Sequence, residues 1–355
     1  MPLLLKPNEH QALFETHDAP APMLDILGAA ALRMAATASR LGIFASLAER
    51  SLTAAEVATR AGTDPRGTAL LLDALHSHGY LRRETNGGHP HYANSQTATR
   101  WMAQKPGFAD TVEFWDALLF TLWPTLEQSL REGRPPTDWY AWLEGNPSTL
   151  RAFHSMLGAM ARNAGPLIAE AAALPDSARR LLDVGGSHAL YSAAFCRARP
   201  RLTATVVDFP GALAIGRENV AAEGMEDRIR LRPCNFLQEP LGGGYDAVLL
   251  CRVVHGLDAE ANLALLRKAH DALAPGGRVV VVEEYDPERR AEGAVSDAFM
   301  RTFSLNMYHL VGAQNYPTHE ITAWLAAAGF DPATIREVPA GADRVIGAAR
   351  PGGER

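Results

Sequence analysis

At 355 residues, with 47% hydrophobic and 21% charged residues, the chain has the composition of an ordinary globule and is long enough for two hydrophobic cores. It holds no run of the roughly 18 apolar residues that a membrane span requires. Its net charge of −6 offers no general attraction to phosphate backbones, so neither a membrane nor a nucleic acid is an expected partner. The apolar start at residues 1–5 gives way to Lys6, Pro7 and polar residues before a signal core can form, which points to the cytoplasm. Cys196, Cys234 and Cys251 are too few and too scattered for a disulfide framework or a zinc site; they read as reduced, packed thiols, and no metal centre is expected.

Residues 23–49 show apolar positions at Leu24, Leu27, Ala31, Met34, Ala38 and Leu41, the spacing of one helical face. Thr53 followed by Glu56 forms a capping box for a short helix ending near Gly62. Asp64 as N-cap, Pro65 at the first helical position and Gly79 as the stop bound a second helix. Residues 80–83, the turn Asn86-Gly87-Gly88 and residues 91–93 then predict a small hairpin. Helix, turn, helix and hairpin make a winged-helix pattern. Its second helix carries Arg66 as the one fixed positive charge and presents Leu70, Leu71, Leu72 and Leu75, a face for packing rather than for phosphates. From 108 to 173 the chain is helical again and rich in aromatics and methionines, among them Trp123, Met156 and Met160, with some positions available to line a pocket.

Beyond residue 179, short β-rich runs at 181–184, 203–207, 229–231, 247–250 and 279–282 alternate with helical stretches. That alternation predicts a doubly wound, Rossmann-like α/β domain with a parallel sheet, in which ligands bind past the carboxyl ends of the strands. The first strand ends in Asp183-Val184-Gly185-Gly186, where glycine lets backbone approach a ligand; the second ends at Asp208-Phe209-Pro210, where an acid can take both ribose hydroxyls. Together they indicate an adenosine-type ligand. A nicotinamide cofactor would need further glycines at Ser187 and near Leu190, whereas S-adenosylmethionine (SAM) has no pyrophosphate to cradle. The third strand leads into Asn235-Phe236, and the fourth into Cys251-Arg252-Val253-Val254-His255, with Asp258 placed to cap the next helix. The fifth follows the turn Pro275-Gly276-Gly277 and ends in Glu283-Glu284.

In order and spacing, Asp183-Val184-Gly185-Gly186, Asp208-Phe209-Pro210, the His255 segment and Ala272-Leu273-Ala274-Pro275-Gly276-Gly277 resemble the small-molecule O-methyltransferases of plant phenolic and bacterial antibiotic pathways. The resemblance covers nearly the whole chain. It implies a SAM-dependent enzyme with a hydroxylated aromatic acceptor, and a homodimer formed through a helical, winged-helix-like N-terminal domain (1–173) ahead of the SAM domain (174–355). It assigns Gly185, Asp208, Phe209, Asn235, Phe236 and Cys251 or Arg252 to the cofactor. His255 becomes the general base and Glu283 the acid that orients it, while Met156, Met160, Asn306, Met307 and His309 line the acceptor pocket.

The chain departs from the family pattern at several of these positions. Ser187-His188-Ala189 replaces a third glycine, threonine and glycine, which predicts a less permissive loop. Asn235 stands where an aspartate is usual, Gly256-Leu257 where an acid and tryptophan follow the histidine, and Asn315 where a second glutamate flanks it. Other readings of the same pattern are a C- or N-methyltransferase, metal-assisted through His255 and His309, a SAM-binding protein whose chemistry has drifted, and a winged-helix ligand sensor.

Overall fold

The computed structural model describes residues 3–105, 107–289, 293–338 and 343–352. The chain divides into two compact units, Met1–Thr121 with Ser148–Met156, and Leu122–Pro147 with Leu157–Arg355. Residues 122–147 and 157–173, expected in the N-terminal domain, thus group with the second unit.

In the first unit, α1 (Pro7–His10) precedes α2 (Met23–Arg40), whose Ala31, Ala35 and Ala38 are buried. The helix expected to reach residue 49 breaks at Gly42, φ +68°, a left-handed conformation that glycine adopts without a Cβ clash, and α3 (Ile43–Ser46) follows. β1 (Leu52–Thr53) leads into α4 (Ala54–Ala61). The expected capping box is formed there: Glu56 donates its backbone N–H to Thr53 Oγ1 at 3.3 Å, and Thr53 donates its own to Glu56 Oε2 at 2.8 Å. Asp64 caps α5 (Pro65–Ser77), accepting from the Gly67 N–H at 2.7 Å. β2 (Leu81–Asn86) and β3 (His89–Asn94) form the predicted hairpin, with β1 on the free edge of β3. Leu72 and Leu75 pack with Phe44, Leu52, Val57 and Tyr92 in one core, with Leu71 partly buried against it, whereas Leu70 of the same helix is 64% exposed. The last helix lying wholly in this unit is α6 (Phe108–Thr121), where Asp116 is buried. Arg33 and Arg40 of α2 hold its carboxylate at 3.0 and 3.1 Å, which offsets the cost of burying the charge.

The second unit opens with α7 (Leu126–Glu132) and α8 (Trp139–Glu144), and takes α9 (Pro147–Ala171) from residue 157 onward. Its sheet contains β4 (Arg180–Val184), β5 (Thr203–Asp208), β6 (Ile229–Pro233), β7 (Tyr245–Cys251), β8 (Leu273–Glu283), β9 (Thr334–Glu337) and β10 (Arg344–Ala349), in the order β6-β5-β4-β7-β8-β10-β9. The helices α10 (Leu190–Ala198), α11 (Pro210–Ala222), α12 (Ala259–Ala272), α13 (Ala294–Val311) and α14 (Thr318–Ala327) intervene between strands. Adjacent strand residues point to opposite faces: Leu181 joins the core containing Ile168, Phe195 and Val206, and Leu182 the core containing Val184, Leu250, Leu265 and Ile321.

The expected Rossmann-like α/β architecture is present, with one correction. The sheet is not wholly parallel, because β10 runs antiparallel to both β8 and β9. The link from Glu337 to Arg344 is far shorter than the dozen or so residues that a parallel crossover needs, so these strands can pair only as a hairpin. The strand order reverses beside β4, between β5 and β7, and this opens a crevice at the carboxyl ends of those strands. Among the described residues no helix is long and apolar enough to cross a membrane.

Candidate active site

The loop leaving β4 is built on left-handed backbone: φ is +70° at Gly185, +37° at Ser187 and +61° at Ala189. Ser187 and Ala189 therefore keep a glycine-like conformation in spite of their Cβ atoms, at a cost of roughly 1–2 kcal/mol each. Hydrogen bonds hold the loop there. Gly185 N–H donates to Val207 O at 2.9 Å, Ser187 N–H to Asp208 Oδ2 at 2.9 Å, and Asn219 Nδ2 to His188 O at 3.1 Å. A Cβ on Gly185 would lie 2.8 Å from Val253 Cγ2 and 3.7 Å from the Phe236 ring, so this loop touches both the third-strand turn and the segment that carries His255.

Gly216, which the sequence reading passed over, is equally constrained, because a Cβ there would stand 2.4 Å from Ser187 O. Alanine is ordinarily better than glycine inside a helix by about 1 kcal/mol. Here the sign should reverse: Gly216→Ala should destabilise by about 1–3 kcal/mol in chemical denaturation, since backbone on the loop must give way. An increase in stability would show that α11 does not brace the loop.

At the end of β5, the buried Asp208 carboxylate accepts from Ser187 N–H through Oδ2 and from Phe209 N–H through Oδ1 at 2.7 Å, which leaves a second lone pair on each oxygen. Burial pushes its pKa up to about 6, although these two backbone donors act to lower it. Beneath the loop Asp183 is buried and accepts from Ser192 Oγ at 2.7 Å; burial pushes its carboxyl up to about 7. Phe209 and Phe236 present tilted rings 5.9 Å apart, and exposed Tyr140 of α8 adds a third ring 6.2 Å from Phe209. Tyr140 belongs to the aromatic-rich stretch 108–173 that the sequence left available to line a pocket, and the fold brings it beside Phe209. Asn235 Oδ1 accepts from its own Leu237 N–H at 3.2 Å and so closes a local turn.

Past β7 the chain makes a 3-10 turn, Val254–Gly256, and Asp258 caps α12 as expected by accepting from Ala261 N–H at 2.8 Å. His255 Nδ1 lies 2.6 Å from Glu283 Oε2. The other oxygen of Glu283 accepts from Val254 N–H at 2.9 Å and His255 N–H at 3.3 Å. Burial raises the Glu283 pKa, but His255, Arg252 and Arg344 outweigh it, so the net shift is downward and the group stays a carboxylate. An ionised partner makes Nδ1 the donor in this pair and leaves Nε2 as the acceptor. Nε2 has no hydrogen-bond partner among the described residues. Asn262, another residue without a sequence signal, donates to Val254 O at 2.9 Å and Leu257 O at 3.0 Å and clamps the turn. Phe303 of α13 meets the imidazole edge-on at 5.6 Å.

Other predicted site residues are placed differently. Arg252, φ +59°, is nearly buried between Glu284 at 2.5 Å and Asp343 at 2.8 Å, and its Nε donates to Tyr191 Oη at 3.0 Å. Its guanidinium is therefore committed to neighbouring strand ends. Cys251 is buried in β7 and desolvation holds its thiol protonated. Met160 and Met307 are partly buried in the second unit, and Met156 falls in the first. Asn306 is buried on α13 and accepts from Trp123 Nε1. His309 requires a correction: it is buried, with Nδ1 2.6 Å from Ser129 Oγ and Nε2 3.0 Å from Leu122 O. Since a carbonyl can only accept, Nε2 carries the hydrogen and Nδ1 takes the serine hydroxyl, leaving neither nitrogen for a metal or an acceptor. The metal-assisted alternative through His255 and His309 falls with it.

Residues 151–331 match the model of an O-methyltransferase domain, and residues 25–104 that of an O-methyltransferase dimerisation domain. The chain belongs to the O-methyltransferase family. Among the relatives of this methyltransferase is a 3-hydroxy-5-methyl-1-naphthoate 3-O-methyltransferase of Streptomyces sahachiroi, 30% identical over 86% of this chain and 88% of that protein. Another is the tetracenomycin polyketide synthesis 8-O-methyl transferase of Streptomyces glaucescens, 31% identical over 83% of this chain and 86% of the relative. A solved structure described as PigF with SAH superposes with a TM-score of 0.79 at 26% identity, covering 95% of this chain and 100% of the other. The leucine-rich α5, read above as a packing helix, thus lies within a dimerisation domain.

Proposed function

We propose that this methyltransferase uses SAM to methylate a hydroxyl group of an aromatic small molecule, with His255 as general base and Glu283 as the residue that orients it. The observation that carries the reading is the His255–Glu283 pair, whose Nε2 remains available on the turn that touches Gly185.

The crevice fits the cofactor in its donor set. Asp208 retains one lone pair per oxygen for the two ribose hydroxyls, Phe209 and Phe236 offer apolar faces to the adenine, and the loop at Gly185 admits close backbone approach. SAM supplies a sulfonium-bound methyl group, electrophilic enough for direct transfer to an oxygen nucleophile. His255 Nε2 accepts the proton of the acceptor hydroxyl as that oxygen becomes nucleophilic. Glu283 fixes the tautomer through Nδ1 and stabilises the imidazolium that results. Phe303 and the Asn262 clamp hold the ring and its turn in place. Positioning of this kind carries most of a bimolecular transfer.

The two Streptomyces relatives are named for aromatic oxygen acceptors, which supports the same class of acceptor here. The dimerisation domain supports a homodimer. The test is incubation with methyl-labelled SAM and a panel of hydroxylated naphthalenes and quinones, with the methylated atom located by NMR. Label on a phenolic oxygen is expected; label found only on carbon or nitrogen would overturn the O-methylation reading.

A further inference from the structure

The turn that carries His255 contains a glycine that sterics do not require. Gly256 follows His255 in the 3-10 turn Val254–Gly256, its φ is not left-handed, and a Cβ there would meet nothing within 4 Å. Glycine at such a position leaves the backbone beside the imidazole freer than alanine would. The turn is held by its polar groups instead. Val254 N–H and His255 N–H donate to Glu283, and Asn262 Nδ2 donates to Val254 O and Leu257 O. Leu257 O takes one more donor, the Tyr316 hydroxyl at 2.8 Å, which fills the second lone pair of that carbonyl.

Tyr316 reaches this carbonyl from the connection between α13 and α14, 59 residues further along the chain. Its side chain is buried in the core that also holds Val254, where its ring meets Trp324 edge-on at 4.8 Å. Burial pushes the hydroxyl up to about 12, and the Asp258 and Glu320 carboxylates act in the same direction, so the phenol keeps its proton and donates. The backbone behind the ring is tied down as well. Arg344 Nη2 donates to Tyr316 O at 2.6 Å and to Tyr285 O at 2.7 Å, while Arg344 Nη1 pairs with Asp286 at 2.7 Å. Asp286 in turn accepts from the N–H and the hydroxyl of Thr318, and Pro317 disfavours helical backbone at Tyr316. The hydroxyl that meets Leu257 O is thereby anchored to the ends of β8 and β10, beside Glu283.

We infer that Tyr316 is a positioning residue for methyl transfer, whose hydroxyl holds Leu257 O and so keeps the imidazole seated on Glu283. This rests on the proposed role of His255 as the base and adds a residue that acts through it. The ring is defined by ties on both sides of it in the chain. Glu283 grips Nδ1 and the N–H groups of Val254 and His255, and Tyr316 grips the carbonyl two residues after the imidazole. Without the Tyr316 hydroxyl, Gly256 lets the turn swing and the bond from Nδ1 to Glu283 lengthens. Asn262 still holds Leu257 O at 3.0 Å, so the loss is partial.

The experiment compares the full-length wild type with Tyr316→Phe, Gly256→Ala and the double variant. Tyr316→Phe keeps the ring in the core and removes only the donor. Turnover and acceptor KM are read with SAM and a hydroxylated naphthalene, and SAH affinity by calorimetry, which also reports that each variant folds. The Nδ1–H resonance of His255 is read by NMR of histidine-labelled protein and assigned by its loss in His255→Ala. Tyr316→Phe should lower kcat by about twofold to tenfold, the range that one neutral hydrogen bond can supply, with little change in acceptor KM or SAH affinity. Its Nδ1–H resonance should move upfield and exchange faster with water. Gly256→Ala should raise kcat of the Phe variant by a larger factor than it changes the wild type, because it stiffens what the hydroxyl no longer holds. Wild-type kcat in Tyr316→Phe, whatever its unfolding midpoint, would reduce Tyr316 to a core residue and overturn the inference. A lower kcat with the resonance unmoved would overturn it too, because the loss would not pass through the base, and so would strict additivity of the two substitutions. If His255→Ala keeps wild-type turnover, or if no acceptor is methylated, the base or the O-methylation reading fails instead. The resonance by itself then decides whether Tyr316 holds the ring: a shift upholds the brace and an unmoved signal overturns it.

Discussion

Replacing His255 with alanine should lower kcat by about 10²-fold to 10⁴-fold, the range a positioned general base contributes, while SAH still binds. The expectation follows from the division of labour on the imidazole. Nδ1 is held by Glu283 Oε2 at 2.6 Å, so the proton-accepting nitrogen is Nε2, and the ring cannot exchange roles without breaking that bond. Glu283→Gln should lose part of the same factor, because an amide can still accept from Nδ1 but no longer offsets an imidazolium charge. Glu283→Ala is a poorer probe: it also strips Val254 N–H and His255 N–H of their acceptor and loosens the turn. Turnover by His255→Ala equal to that of the wild type, measured with saturating acceptor, would remove His255 as the base.

Asp208→Ala should weaken SAH binding by about 10²-fold to 10⁴-fold, since two hydrogen bonds to a carboxylate are each worth roughly 1.5–3 kcal/mol and tenfold in affinity is about 1.4 kcal/mol. The substitution also leaves Ser187 N–H and Phe209 N–H without their acceptor, which relaxes the loop on the cofactor side. The same residue predicts a pH dependence. With its pKa raised to about 6 by burial, Asp208 gains a proton as pH falls through 6 and loses acceptor capacity, so SAH affinity should decline from pH 7 to pH 5. Asp208→Asn should bind more weakly at pH 7 and show no such decline. Calorimetric titration checks both, and equal affinity of wild type and Asp208→Ala at pH 7 would withdraw Asp208 from the ribose.

Much of the site was legible because strand-end residues are consecutive in sequence. Gly185, Asp208 and His255 each end or follow an apolar run, and in a doubly wound sheet the carboxyl ends of neighbouring strands face one crevice. Glu283 was legible for the same reason. The residues that were missed act across the chain: Gly216 braces the Ser187 carbonyl from another helix, and Asn262 clamps the turn before it. None of these carries a local motif, because their effect depends on a contact and not on a spacing. His309 misled for the converse reason. Its position on α13 suggested the pocket, yet Ser129 and Leu122 O, more than 170 residues earlier, occupy both of its nitrogens.

The sequence by itself determined the layered architecture, the capping of α4 and α5, the class of cofactor and the family. Those follow from periodicities of two and 3.6 and from glycine and aspartate at strand ends, which are local physics. The tertiary structure alone decided that β10 inserts antiparallel beside β8, that Ser187 and Ala189 are forced into a glycine-like backbone, and that Arg252 is spent on Glu284 and Asp343. It also decided that the Asn306 amide oxygen is taken by the Trp123 indole N–H. Hydrogen-bond direction and ion pairing depend on which distant group arrives at a buried polar atom, and burial makes that partner obligatory.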